Sequence, residues 1–431
     1  MTDTTSAARS PSSGNTTIAA SATDAGVVSD RLHGLDAVRA FALLSGVVLH
    51  STLAYVMQPG QWGIGAARPD LALWAFVHYV HDFRMQLFFL LAGFFGAMVV
   101  GRRGARAYLR DRLVRIGLVF VVLVYPLKLL ISLPWIAGGL KTGWLQLPAE
   151  TARLPLLVLA IGGLREETWP AISPGHLWFL YYLFLVTVVF MAARWILART
   201  ATARTPVVGS PLSRRLAAVA AHPLGPIVLA LPVIPLLGLT PGAVLASPDR
   251  GFLPDSLALV IYGLCFSFGW WLHGRQALLG AFARRWALWL ALSLGAAALS
   301  FAIEVQRQTV GIELGLHWLA ATANALTLSL ACLGWIGFFV DRFSAPSPVV
   351  RYLADASYWV YLIHLPIVVA VQVWVSDWGF LPAQLLTINV VTFAVSLASY
   401  HLIVRDTPIG AWLNGRRNPS RARAVGSTGT V

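Results

Sequence analysis

Ten separate apolar runs, each close to the ~20 residues an α-helix needs to cross a bilayer, leave this chain few folds to adopt. They cover residues 35–57, 78–100, 113–136, 175–197, 224–245, 256–273, 286–303, 314–340, 350–374 and 382–404. Within hydrocarbon, every backbone N–H and C=O must find its partner inside the segment, so such runs fold as helices. The predicted fold class is all-α: a polytopic integral membrane helical bundle of about ten transmembrane helices with no large soluble domain. Composition agrees. Charged residues are 12% of the chain and hydrophobic ones 57%, with mean hydropathy +0.70, whereas soluble domains carry about 25% charged residues. The run 224–245 is the least regular, because Pro226, Pro232, Pro235 and Pro241 kink or break a helix unless neighbours satisfy the freed groups.

The net charge of +14 raises a nucleic-acid reading, since basic patches bind phosphate backbones. The positions of the charges argue against it. Of the 32 Lys and Arg residues, 24 fall in the termini and in every second loop, among them Arg39, Arg102, Arg103, Arg112, Arg115, Arg275 and Arg342. The alternate loops hold six: Arg68, Lys141, Arg153, Arg165, Arg250 and Arg307. Basic residues stay on the cytoplasmic side of a membrane, so both termini are expected in the cytoplasm and the loop after the first span outside. A bacterial plasma (inner) membrane is the expected location, with lipid as a partner and no nucleic acid. Residues 1–30, rich in Ser, Thr, Ala and Gly, read as a disordered cytoplasmic tail. Residues 31–405 read as the membrane domain and 406–431 as a basic cytoplasmic tail. Cys265 and Cys332 both lie in apolar runs and read as packing residues.

Ionisable groups inside a membrane are costly, so each marks a place where chemistry is expected. In LDAVRAFALLSGVVLH, Arg39 and His50 are eleven steps apart. At ~100° per step that is about three turns plus ~20°, which puts both on one helix face, with a rise of about 16 Å. Asp36 precedes Arg39 by three residues, the spacing of a supporting ion pair. A neutral imidazole in a low-dielectric site is a reasonable general base. An arginine at the membrane surface suits a phosphate-bearing ligand. Together they fit a long ligand with a charged head and a reactive far end, a shape that acyl-coenzyme A has. A snorkelling arginine and a hydrogen-bonded interior histidine are the structural alternative.

The arrangement Arg39-x10-His50 after RLHGLD resembles the signature of the acyltransferase 3 family of integral membrane O-acyltransferases. FRMQLFFLLAGFF (83–95) resembles that family's aromatic-rich second segment. RRGARAYLRDRLVR contains an Arg112-x-x-Arg115 pair like the one the family places on the cytoplasmic side, and SYWVYLIHLP (357–366) resembles its Ser-Tyr-x-x-Tyr-Leu-x-His segment. Within the family, the first two segments look closest to the glucans biosynthesis protein C branch, which is associated with succinylation of periplasmic glucans. The resemblance implies a membrane acyltransferase with no tightly bound cofactor, using cytoplasmic succinyl-CoA or acetyl-CoA as donor and an extracytoplasmic glycan as acceptor. His50 would be the catalytic base. Arg39, Arg112 and Arg115 would hold the donor. Acetyl transfer to another cell-envelope glycan is the runner-up, and a transporter the reading from another class, although no inverted repeat is evident.

Other polar positions stay open between two readings. Arg84, with His81 and His78 earlier on its helix, either binds an anionic acyl group or the acceptor, or forms an interfacial salt bridge to Asp82 or Asp70. His364, after Tyr361 and Tyr358, either lines a substrate channel or bonds between helices. Lys128 reads as snorkelling, His176 and Trp178 as interface anchors, and Arg112 and Arg115 equally as ordinary residues of a positive loop. No metal site is expected, since no acidic residue completes a ligand set around His78 and His81.

Overall fold

The computed structural model describes residues 18–166, 173–200, 210–248, 251–311 and 313–415. Sixteen α-helices occur among them: α1 (Ile18–Thr52), α2 (Leu71–Arg103), α3 (Ala105–Arg112), α4 (Leu118–Thr142), α5 (Leu156–Glu166), α6 (Trp178–Thr200), α7 (Pro211–Ala221), α8 (Gly225–Ala230), α9 (Ile234–Gly238), α10 (Ser256–His273), α11 (Ala277–Ala283), α12 (Trp286–Val310), α13 (Leu314–Arg342), α14 (Pro348–Val375), α15 (Leu381–Ser399) and α16 (Pro408–Asn414). No β-strand is formed among the described residues. Nine helical stretches there are long and apolar enough to cross a membrane: His33–Tyr55, Leu71–Arg103, Ala105–Thr142, Gly175–Arg199, Ser256–His273, Trp286–Val310, Leu314–Arg342, Pro348–Val375 and Leu381–Val404. The third is continuous because α3 runs into α4 through a π-helical turn, Leu113–Gly117.

The tenth expected span, 224–245, is not one helix. Proline lacks an N–H and its ring clashes with the preceding turn, and the segment divides into α8 and α9 around Pro232, with Pro235 in the first turn of α9. It nevertheless runs the length of its neighbour. Trp289 Nε1, near the start of α12, donates to Pro223 O (2.9 Å), and Arg307 Nη1, near its end, donates to Pro241 O (2.7 Å). Those eighteen residues of α12 rise about 27 Å, most of a hydrocarbon core. Polar side chains of α13 take up backbone carbonyls that the breaks expose: Ser329 donates to Pro226 O (2.6 Å), Asn324 to Ala243 O (2.8 Å), and His317 to Gly238 O (2.9 Å). The broken segment is thus made tolerable by side-chain donors of the largely buried α13.

Burial sorts the helices into two rings. The most apolar stretch of α13 is 83% buried, that of α2 67%, and those of α1 and α14 56% each, against 22–33% for the other five. The inner four pack on one another, α1 lying against α14, α13 and α2. Close approach is set by small residues, as expected where no hydrophobic force drives helices together. At the crossing of α2 with α10, Gly93 sits on the Phe266 carbonyl and Gly269 on the Leu90 carbonyl, and a Cβ at either would collide with that backbone.

One end of the bundle gathers the arginines of the first loops. Arg39 reaches Ala354 O at the start of α14, its guanidinium lies over the Phe95 ring near the end of α2, and Gly34 abuts Phe339 and Val340 near the end of α13. α16 folds back to this basic end, Trp412 Nε1 donating to Val114 O (2.9 Å) and Asn414 Nδ2 to Asp355 O (3.2 Å). The stretch 406–415, read from sequence as the start of a tail, is therefore packed. Likewise α1 begins at Ile18, inside the stretch read as disordered; residues 1–17 and 416–431 lie outside the described residues.

Candidate functional site

α1 places its polar residues in one row. Arg39, Ala42, Gly46 and His50 succeed one another at three- and four-residue spacing, the neighbours of one helix face, and both charged ends of the row meet α14. Arg39 Nη2 donates to Ala354 O at 3.5 Å, while the His50 and His364 rings lie 5.2 Å apart between centroids. The shared face expected from the spacing is present, with the guanidinium at one end and the imidazole at the other. Asp36 pairs with Arg39 at 3.4 Å, as expected.

His50 lies near the end of the bundle opposite Arg39. Trp62, from the connection between α1 and α2, stacks on it with centroids 5.9 Å apart and planes at 21°. Buried Gln372 holds the helix end. Its Nε2 donates to His50 O (3.0 Å) and Ser51 O (3.1 Å), and its Oε1 accepts from Trp62 Nε1 (2.8 Å). The last carbonyls of a helix have no partner within it, so one amide both caps α1 and fixes the indole against the imidazole. Gln372 is uncharged and sits in an apolar run; only its being polar inside a span marks it in the sequence.

An enclosed cavity of about 30 Å³ lies beside His50, lined on α1 by Ala42, Leu43 and Gly46, on α2 by Arg84 and Met85, on α14 by Tyr361 and His364, and at the start of the fourth long helix by His176, Trp178 and Phe179. This is room for water rather than for a substrate. Tyr361 Oη donates to His176 O (2.8 Å) and His176 Nε2 donates to Leu362 O (2.9 Å), so the two elements are laced together. His364 Nδ1 donates to Tyr361 O (2.7 Å). A carbonyl only accepts, so the proton is on Nδ1, and Nε2 of the neutral ring carries a lone pair. That Nε2, like Nδ1 of His50, is buried with no hydrogen-bond partner among the described residues. Arg84 is 9% exposed and makes neither an ion pair nor a hydrogen bond there.

Several expectations are revised. The salt bridge weighed for Arg84 with Asp82 or Asp70 is absent among the described residues: Asp82 turns to His78 (3.7 Å), and Asp70 caps α2 by accepting from Leu73 N (2.9 Å). His81 does not line the cavity; its Nε2 meets Ser247 Oγ at 3.2 Å. Tyr361 and His364 do line it. His176 and Trp178, read as interface anchors, are wall residues of the same cavity, because the backbone at Gly175, with φ +55°, turns the chain inward before the helix begins. Lys128 does not snorkel. It is 9% exposed and donates to Ser173 O at 2.9 Å, which ties α4 to the segment carrying His176.

Arg112 precedes the π-helical turn, Arg115 lies within it, and the two share one carboxylate, Asp111, at 3.2 and 2.8 Å. Both guanidiniums converge on this one acid at the basic end. The turn is pinned from α14, since Tyr358 Oη donates to Arg115 O (2.6 Å). A π-helical turn commonly marks a functional position in a helix.

Residues 32–401 match the family model described as an acyltransferase domain. Over 397 residues the chain is 26% identical to a glucans biosynthesis protein C of Escherichia coli O6:K15:H31 (strain 536 / UPEC), covering 87% of this chain and 93% of that relative. It is similar to the same degree to the proteins of that name from E. coli O139:H28 (strain E24377A / ETEC) and O157:H7 (strain EC4115 / EHEC). No solved structure matches.

Proposed function

The chain belongs to the acyltransferase domain family, and on that premise we propose that it carries an acyl group from a coenzyme A thioester at its basic end to a hydroxyl of a glycan at the opposite end. The supporting observation is the row along α1, with Arg39 at one end, His50 at the other, and a small cavity beside His50. The donor's phosphates meet Arg39, Arg112 and Arg115, whose guanidiniums match phosphate oxygens. The basic end faces the cytoplasm, the side on which arginine-rich loops are retained, and the membrane is the bacterial inner membrane. His50 takes the proton from the acceptor hydroxyl as it attacks the thioester carbon, then returns it to the departing thiolate.

A glucan is the favoured acceptor, because the similar proteins are named for glucan biosynthesis, and succinyl the favoured group. A transporter would place its discontinuous helix at the substrate site. Here the broken segment packs on α13, is tied to α12 at its two ends, and lends no residue to the cavity. Mass spectrometry of cell-envelope glycans from strains with and without the gene tests the reading. A mass difference of one succinyl or acetyl group per modified sugar is expected. Identical glycan profiles would contradict it.

A further inference from the structure

Arg84 has a place in the chemistry that its sequence position alone does not reveal. It lies mid-helix in an inner-ring element and is 9% exposed. Its neighbours around the cavity, His50, His176, His364 and Tyr361, include no carboxylate. The closest acid along its own helix, Asp82, points towards His78 at 3.7 Å and makes no ion pair with Arg84 among the described residues. A buried cation without a counter-charge is costly and is kept where function requires it. Its guanidinium lies against the bare face of Gly46, where a Cβ would oblige Nη1 to shift.

Gly46 also gives the depth. It belongs to the row that joins Arg39 to His50, one turn short of His50, so the guanidinium stands about 10 Å beyond Arg39 and about 6 Å before the level of His50 along the helix axis. A donor entering from the basic end meets Arg39 with its phosphates, then Arg84, then His50. The acceptor hydroxyl must stand between the base and the thioester carbon. The carbonyl oxygen of that thioester is then the donor atom nearest Arg84.

We propose that Arg84 is a catalytic residue that holds the thioester carbonyl oxygen and stabilises the oxyanion formed on it. This rests on the donor reading above. As the hydroxyl oxygen bonds to the carbonyl carbon, its proton passes to His50 and the carbonyl π electrons move to oxygen, whose charge is met by the guanidinium. Collapse restores the carbonyl, breaks the carbon–sulfur bond, and the coenzyme A thiolate takes the proton from His50. Ester and free thiol are the products. A fixed donor aimed at developing charge in a low-dielectric site is worth most in such a step.

The test uses the full-length purified protein with acetyl-CoA and succinyl-CoA, each carrying ¹³C at the thioester carbonyl, and isotope-edited infrared spectra of the bound ester. The carbonyl band is expected at lower frequency than in the free ester for the unmodified protein and for His50→Ala, and at the free position for Arg84→Gln. Turnover of the accepted ester by Arg84→Gln is expected to fall about 10²–10³-fold, with donor affinity nearly unchanged and Arg84→Lys intermediate. If Arg84→Gln does not accumulate, the same band position is read in Arg84→Lys, where a smaller displacement is expected. A displaced band that survives Arg84→Gln, or that is as large in Arg84→Lys as in the unmodified protein, overturns the assignment. So does a defect confined to succinyl-CoA, which would make Arg84 the holder of the distal carboxylate. Binding with an undisplaced carbonyl in the unmodified protein removes the Arg84 role alone. Failure to bind either ester removes the donor reading and this assignment with it.

Discussion

Replacing His50 by alanine is expected to lower acyl transfer about 10²–10⁴-fold, the range that a positioned general base contributes, while the protein still inserts and purifies as a folded bundle. The side chain projects between Trp62 and His364, its Nδ1 free of hydrogen bonds among the described residues. What holds the helix end is the backbone: Gln372 binds the carbonyls of residues 50 and 51 and fixes Trp62. Alanine keeps those bonds and removes only the imidazole. Transfer would be measured as acyl groups on recovered glycan, and folding by elution as a single species in detergent. Full activity in a folded His50→Ala protein would remove the base assignment.

Arg39→Ala is expected to raise the apparent donor KM, or lower kcat/KM for the donor, about 10- to 100-fold. Each hydrogen bond to a charged group is worth about 1.5–3 kcal/mol, and a phosphate offers several acceptors to one guanidinium. Folding should be almost untouched. The Asp36 pair is long, at 3.4 Å, and both side chains are more than 30% exposed; pairs of this kind contribute little. Acceptor dependence should stay unchanged, because Arg39 lies at the other end of the row from His50. An unaltered donor concentration dependence would rule out its part in donor binding. Arg39→Lys keeps the charge but loses the planar fork, and should fall between the two.

The membrane helices were legible because hydrophobic runs state their own length, and all nine long helices overlap an expected run. The tenth expected run is not a single long helix among the described residues. Its four prolines announce breaks, yet only the polar face of α13, with Asn324 and Ser329 aimed at Ala243 and Pro226, shows how a broken segment is accommodated. The Arg39–His50 row was legible for a simple reason: both residues ride one helix, so spacing fixes geometry. His81 shows the limit of that logic. It precedes Arg84 by three residues, and their side chains still part, one to Ser247 and the other to the cavity. The cavity's remaining wall was not legible, since it depends on where separate helices meet. His176 enters through a turn at Gly175 and is locked by Tyr361 and Leu362, far away in sequence. Lys128 carries a long apolar stem that suits snorkelling, and its inward course is set by the carbonyl of Ser173.

The arginine cluster at the basic end poses the remaining physical question, whether it binds the phosphates of a donor. Sealed membrane vesicles of defined orientation answer it together with the proposed direction of transfer. Acyl-labelled succinyl-CoA or acetyl-CoA is added outside vesicles that contain glucan, and label on the enclosed glucan is counted. Inverted vesicles, which turn the basic end outward, are expected to acylate the enclosed glucan, and right-side-out vesicles to leave it unlabelled. Label in right-side-out vesicles, or equal label in both, would contradict a donor entering at Arg39 and an acceptor meeting it at His50.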